Sequence, residues 1–150
     1  MKTIKGDLIE LAKRGKFDII VHGCNCKGRM GAGVAKQIKK HFPVAYHADQ
    51  DYHKNGKSCL GNISVSGTLT NHGILYVVNA YTQFDYSRKG QQVDYDAIRE
   101  CFKKVKVIAD KNRIGYPKIG AGLGGGDWEI IRKIIDEELE GTDHTLVELD

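Results

Sequence analysis

Two glycine-rich stretches, each set between an apolar run and a helix-patterned segment, constrain this chain more than any other feature. Gly28-Arg29-Met30-Gly31-Ala32-Gly33 follows Asp18-Ile19-Ile20-Val21-His22 and precedes a segment in which Val34, Ile38 and Phe42 recur at helical spacing. Gly120-Ala121-Gly122-Leu123-Gly124-Gly125-Gly126 follows a strand-like run from Ile114 to Ile119 and precedes Trp128, Ile131, Ile134, Ile135 and Leu139. Short continuous apolar runs are the pattern of strands buried on both faces. Glycine admits positive φ and close backbone approach to a ligand, and a helix start offers unpaired N–H groups. Two such junctions imply an α/β architecture with a cradle for a phosphate-rich ligand.

The remaining pattern fits that class. Thr3-Ile4-Lys5 reads as a short strand and residues 7–14 as a helix. A further helix runs from Val44 to about His53 and stops near Asn55-Gly56. Ile63–Ser66 and Ile74–Asn79 are strands joined through the turn residues Asn71-His72-Gly73, an antiparallel pair. Residues 81–92 read as a polar loop carrying Tyr81, Phe84 and Tyr86. Asp94 caps a long helix with an apolar stripe of Ile98, Cys101, Phe102, Val105, Ile108 and Ala109. Thr145–Leu149 closes as a strand. Strands alternating with helices predict a mostly parallel sheet covered on both faces, with at least one antiparallel neighbour. At 150 residues the chain is read as one domain, 1–150.

Composition excludes more than it proposes. No apolar run approaches the roughly 20 residues of a membrane span, and Met1–Gly6 lacks an export signal. A cytoplasmic monomer is expected. Cys24, Cys26, Cys59 and Cys101 show neither a disulfide framework nor metal-ligand spacing, so reduced thiols, no metal and no cofactor are expected. The net charge of +4 is dispersed. Lys36, Lys39 and Lys40, like Lys103, Lys104 and Lys106, read as solvated helix faces, so no nucleic-acid partner is expected.

Gly120, Gly122 and Gly125 spell G-x-G-x-x-G, but a dinucleotide-binding fingerprint opens the first βαβ unit, whereas this one sits near the end. No Gly-Lys-Ser or Gly-Lys-Thr follows either loop, which excludes a P-loop.

The stretch Ile19–Ala35 contains H-x-C-N-C-x-G-x-x-G-x-G-V-A, from His22 to Ala35. It closely resembles macrodomains, the ADP-ribose-binding modules, and within them the ADP-ribose 1''-phosphate phosphatases of yeast. Pro117–Glu129 resembles the family's second ligand loop, and Gly6-Asp7-Leu8 its adenine-recognition motif. The similarity runs in matching order along nearly the whole chain. It implies a three-layer α/β/α fold with a mixed, mostly parallel central sheet.

The resemblance also implies roles. Asp7 accepts a hydrogen bond from the adenine amino group, beside Leu8, while also suiting a helix N-cap. Gly31, Ala32, Gly33 and Val34 line the path of the distal ribose and α-phosphate. Gly120 and Ala121 contact the ligand, and Gly122, Leu123, Gly124, Gly125 and Gly126 wrap the diphosphate. Asn25 fixes a distal-ribose hydroxyl at the reacting end, where it joins His22 and Asp127 as a catalytic candidate, or, alternatively, serves its own turn. His22 is the candidate for proton transfer. Asp127 either activates a water or caps the helix that follows it. Gln83 and Phe84 are placed near the distal ribose, and the adenine-stacking residue is left open.

One departure narrows the chemistry. A macrodomain branch that releases ADP-ribose from carboxylate side chains uses a lysine and an aspartate where this chain aligns Gln83 and Gly124. An amide and a hydrogen form no Schiff base and activate no nucleophile. The expected activity is metal-independent removal of the terminal phosphate from ADP-ribose 1''-phosphate. The alternatives are binding of ADP-ribose or a related NAD-derived metabolite without turnover, and a water-based mono-ADP-ribosyl hydrolase.

Overall fold

In the computed structural model, which describes residues 1–85, 91–122 and 124–149, the apolar runs become strands and the periodic segments helices. The strands are β1 (Lys2–Lys5), β2 (Ile19–Asn25), β3 (Ile63–Thr70), β4 (Gly73–Gln83), β5 (Arg113–Tyr116) and β6 (Asp143–Glu148). The helices are α1 (Leu8–Lys13), α2 (Gly33–His41), α3 (Pro43–Lys54), α4 (Tyr95–Ala109) and α5 (Trp128–Glu138). One sheet runs in the order β1-β6-β5-β2-β4-β3, with every neighbouring pair parallel except β3 and β4.

Strand alternation divides the core into two. Ile19 and Val21 of β2 join Val78 of β4 against Ile98, Phe102 and Val105 of α4 and Ile131 and Ile135 of α5. Ile20, Leu75 and Val77 point the other way, against Leu8 and Ala12 of α1, Ile38 of α2 and Ala45 of α3. The sheet is thus the middle of three layers. Ile108, assigned from its spacing to the apolar stripe of α4, lies on the exposed side.

Local chemistry sets the element ends. Asp7, Asp94 and Asp127 cap α1, α4 and α5, accepting from Glu10 N (3.1 Å), Ala97 N (3.0 Å) and Glu129 N (2.9 Å). β5 stops at Tyr116 because Pro117 has no N–H with which to extend the ladder. β4 runs further than expected. The loop assigned to 81–92 begins only after Gln83, because Tyr81 is buried with its hydroxyl hydrogen-bonded to Ser64 and Asp49. Tyr86 lies outside the described residues.

The expectation of four reduced thiols is corrected. Cys26 and Cys59 form a disulfide with their Cα atoms 5.8 Å apart, tying the first glycine loop to the segment between α3 and β3. Two cysteines 33 residues apart meet because α3 packs back on β3 and β4, a contact that sequence spacing does not encode. Cys24 and Cys101 are free and buried; burial raises both thiol pKa values, that of Cys101 to about 12.

Candidate functional site

At the carboxyl ends of β2, β4 and β5, the first glycine loop (β2 to α2) and the second (β5 to α5) enclose a cleft, the usual ligand position in an open α/β sheet. It consists of two cavities of about 540 and 530 Å³ that share Gly33, Val34, Pro117, Lys118 and Gly122. Each has the size of a small-molecule site, and their continuity suits an elongated ligand.

The start of α2 is the electrostatic focus. Unlike α1, α4 and α5, it has no side-chain cap: Ala32 occupies that position, and no acidic residue lies in the first turn. The unpaired N–H groups at Gly33, Val34 and Ala35 line the first cavity, where a helix start favours an anion.

The glycines are of two kinds. A Cβ built on Gly31 or Gly122 meets no atom of the described residues within 4 Å, and neither residue has positive φ. The fold itself therefore does not require glycine at these cleft-lining positions. At Gly124 a Cβ would lie 2.8 Å from the Gly120 carbonyl oxygen and 3.1 Å from Gln83 Oε1. That position is closed by internal packing. It also shows that Gln83 and Gly124, the two residues where the lysine–aspartate pattern is broken, pack against each other at the cleft.

Most of the expected ligand residues come together here. Asn25, Gly31, Ala32, Gly33, Val34, Gly120, Gly122 and Gly124 line the first cavity; Asp7, Leu8 and Ala121 line the second. Gly125 and Gly126 line neither, and a Cβ at Gly126 would collide with Val93 (2.6 Å), so its role is packing. Leu123 lies outside the described residues. Asp7 combines both expectations, capping α1 while lining the second cavity. No aromatic residue lines that cavity among the described residues; its apolar wall is Leu8, Ile9, Val34, Pro117, Val147 and Leu149.

The three expected catalytic side chains are not brought together. Asn25 lines the cleft, but its amide is committed to its own loop. Its Oδ1 accepts from Lys27 N (2.9 Å) and Arg29 N (3.3 Å), and its Nδ2 donates to Arg29 O (2.9 Å). This is the turn-forming alternative, in which Asn25 shapes the loop. Asp127 is spent on capping α5 and lines neither cavity.

His22 lies behind the cleft wall. It shares the face of Ile20, is 1% exposed and lines neither cavity. Its Nε2 donates to Asn79 Oδ1 at 2.6 Å, because that acceptor fixes the proton on Nε2. Burial lowers its pKa to about 4, against smaller raising contributions from the Asn79 hydrogen bond and the Asp49 charge. Burial thus favours the neutral imidazole, held in a hydrogen-bond network. The network continues in one donor direction: Asn79 Nδ2 to Ser64 Oγ (3.0 Å), Ser64 to Tyr81 Oη (2.8 Å), Tyr81 to the buried carboxylate of Asp49 (2.8 Å). Gln50, beside Asp49, donates to the Gly28 carbonyl (2.9 Å) and so ties this network to the first loop.

Three further residues at the cleft, Lys118, Arg29 and Thr82, carried little sequence signal, while Gln83 was expected there. Lys118 lines both cavities, 4.0 Å from Glu148; Arg29 lines the first. Gln83 lines the first and donates to Asp85 O (2.6 Å), whereas Phe84 does not line it and sits 4.3 Å from Lys27 Nζ. Thr82 is the extra residue of a bulge: Cys24 pairs with Tyr81 and Asn25 with Gln83. Its hydroxyl is buried without a hydrogen-bond partner among the described residues. Among the described residues, no group of three or more His, Cys, Asp or Glu is placed to hold a metal ion. No helix among them is long and apolar enough to cross a membrane.

Comparison with known proteins agrees with this arrangement. The 17.5 kDa protein of the tk-vs intergenic region of Enterobacteria phage T4 is 38% identical over 91% of this chain and 88% of its own length. An ADP-ribose 1''-phosphate phosphatase of Debaryomyces hansenii is 29% identical, covering 91% of this chain and 93% of that protein. More distant relatives include DNA ADP-ribosyl glycohydrolases, of which the chain spans little more than a third. Among solved structures, the macrodomain of Thermus aquaticus DarG superposes with a TM-score of 0.78 at 27% identity, covering 99% of this chain and 95% of that one. The Macro domain family model matches residues 21–135, which hold both glycine loops, three of the six strands entire and most of β2. The chain belongs to the Macro domain family.

Proposed function

We propose that the chain binds ADP-ribose along the cleft and removes the terminal phosphate of ADP-ribose 1''-phosphate. The observation that carries this is the uncapped start of α2 beside Gly31 and Gly122, two glycines with no atom of the described residues where a side chain would project. Adenine fits the second cavity, its amino group donating to Asp7; the diphosphate lies on the α2 N–H groups and the second loop. The distal ribose then reaches the first cavity near Asn25 and Gln83. The Debaryomyces hansenii relative supports the choice of reaction.

In this proposal water attacks phosphorus and the bond from phosphorus to the 1'' oxygen breaks. The water's proton passes to a phosphate oxygen, and the leaving oxygen takes up a proton to become the anomeric hydroxyl of ADP-ribose. A hemiacetal hydroxyl is more acidic than a simple alcohol, so its departure needs less help from a side-chain acid. Backbone N–H groups offset the charge that develops on the phosphoryl oxygens. His22 and Asp127 act only through packing and capping, and Asn25 through the loop it shapes.

One observation favours a second reading, retention of ADP-ribose without turnover. The first cavity has no Asp, Glu or His among its described lining residues. Incubation of excess protein with ADP-ribose 1''-phosphate, with phosphate release followed in time, separates the two. Stoichiometric or catalytic release supports hydrolysis; tight binding with no release leaves the binder.

A further inference from the structure

We infer that Arg29 recognises a terminal phosphate monoester at the distal end of the cleft, so that the site prefers phosphorylated ADP-ribose to ADP-ribose. This rests on the proposed placement of ADP-ribose. Charge is unevenly spread along the cleft: Asp7 and Glu148 line the second cavity, whereas the charged residues of the first are Arg29 and Lys118. Lys118 has Glu148 as a counter-charge at 4.0 Å. The Arg29 guanidinium has no hydrogen bond or ion pair among the described residues. Arg99 and Arg113, by contrast, are engaged by Glu137 and Glu138 and by Asp18.

The Arg29 backbone is held firmly while its side chain is left free. Both its N–H and its carbonyl are bound by the nearly buried Asn25 amide, and the disulfide at Cys26 anchors the same loop. A fixed Cα carrying an unpaired planar fork suits bidentate binding of a phosphate dianion. The diphosphate already has the start of α2 and the second loop. A third phosphate, attached to the distal ribose, would enter the first cavity, where no described lining residue is acidic and where Arg29 stands.

Three ligand series test this: ADP-ribose and ADP-ribose 1''-phosphate with the unaltered protein, with Arg29→Gln and with Arg29→Lys. The measured quantity is the calorimetric Kd, or KM where the phosphate is turned over. The expected result is that the unaltered protein prefers the phosphorylated ligand. Arg29→Gln should weaken it at least tenfold while changing ADP-ribose affinity less than twofold, with Arg29→Lys in between. Arg29 is exposed, and an unchanged melting temperature verifies that the variants fold. Equal weakening of both ligands, or none for the phosphorylated one, overturns the inference and leaves the proposed function standing. Failure of the unaltered protein to bind ADP-ribose overturns both.

Discussion

His22 provides a prediction that separates a structural imidazole from a proton-transfer group. Its folded pKa is about 4, chiefly because burial disfavours the charged ring, and its unfolded value is about 6.5. Between these values the unfolded chain binds the proton and the folded chain does not. The stability tied to His22 is therefore complete above about pH 6.5, lost progressively as pH falls, and level below about pH 4. Linkage gives a loss of about 2 kcal/mol at pH 5 and about 3 kcal/mol at pH 4. His144 is also held low by burial, and Asp18 by its hydrogen bond from Arg113, so the contribution of His22 must be isolated by difference. His22→Gln serves, because its amide keeps an N–H donor for Asn79 Oδ1 but does not titrate. Urea unfolding of both proteins from pH 7.5 to pH 4.5 should show the advantage of the unaltered protein shrinking by about 2 kcal/mol on reaching pH 5. Parallel stability curves would refute the placement of His22 as a neutral buried group. So would a pH–rate profile whose acid limb disappears with His22.

Three other substitutions probe the loops. Gly122→Ala meets no atom of the described residues within 4 Å, so stability should hold or rise by about 0.4–1 kcal/mol, while ADP-ribose affinity falls at least tenfold by calorimetry. Unchanged affinity would mean that the space beside Gly122 is not used by the ligand. Gly124→Ala places a Cβ 2.8 Å from the Gly120 carbonyl oxygen and should cost about 1–3 kcal/mol in urea unfolding. A neutral result would show that the second loop yields easily. Thr82→Val removes a buried hydroxyl without a partner among the described residues and should raise stability by about 1 kcal/mol by the same method; a loss of that size would reveal a partner for the hydroxyl.

What was legible in the sequence was local. The apolar run Ile19–Val21, the glycines after it and the capping aspartates Asp94 and Asp127 each act within a few residues, and each became the expected element. The cleft was legible for the same reason, since both its walls are contiguous loops. The surroundings of His22 were not legible because its burial and partners are settled at long range. His22 meets Asn79 from 57 residues away, and the network beyond it draws in Ser64, Tyr81 and Asp49 from three different elements. Strand alternation did contain a warning, since His22 shares the face of Ile20 that packs against the α1–α3 layer. The disulfide between Cys26 and Cys59 and the bulge at Thr82 depend on how distant segments meet, and no spacing rule announced them.

The central claim is that this cleft is built for ADP-ribose, and calorimetric titration tests it most directly. ADP-ribose should bind at one site per chain, more tightly than ATP or NAD, with the heat abolished or strongly weakened in Gly122→Ala. Absence of ADP-ribose binding, or equal affinity for all three nucleotides, would contradict it.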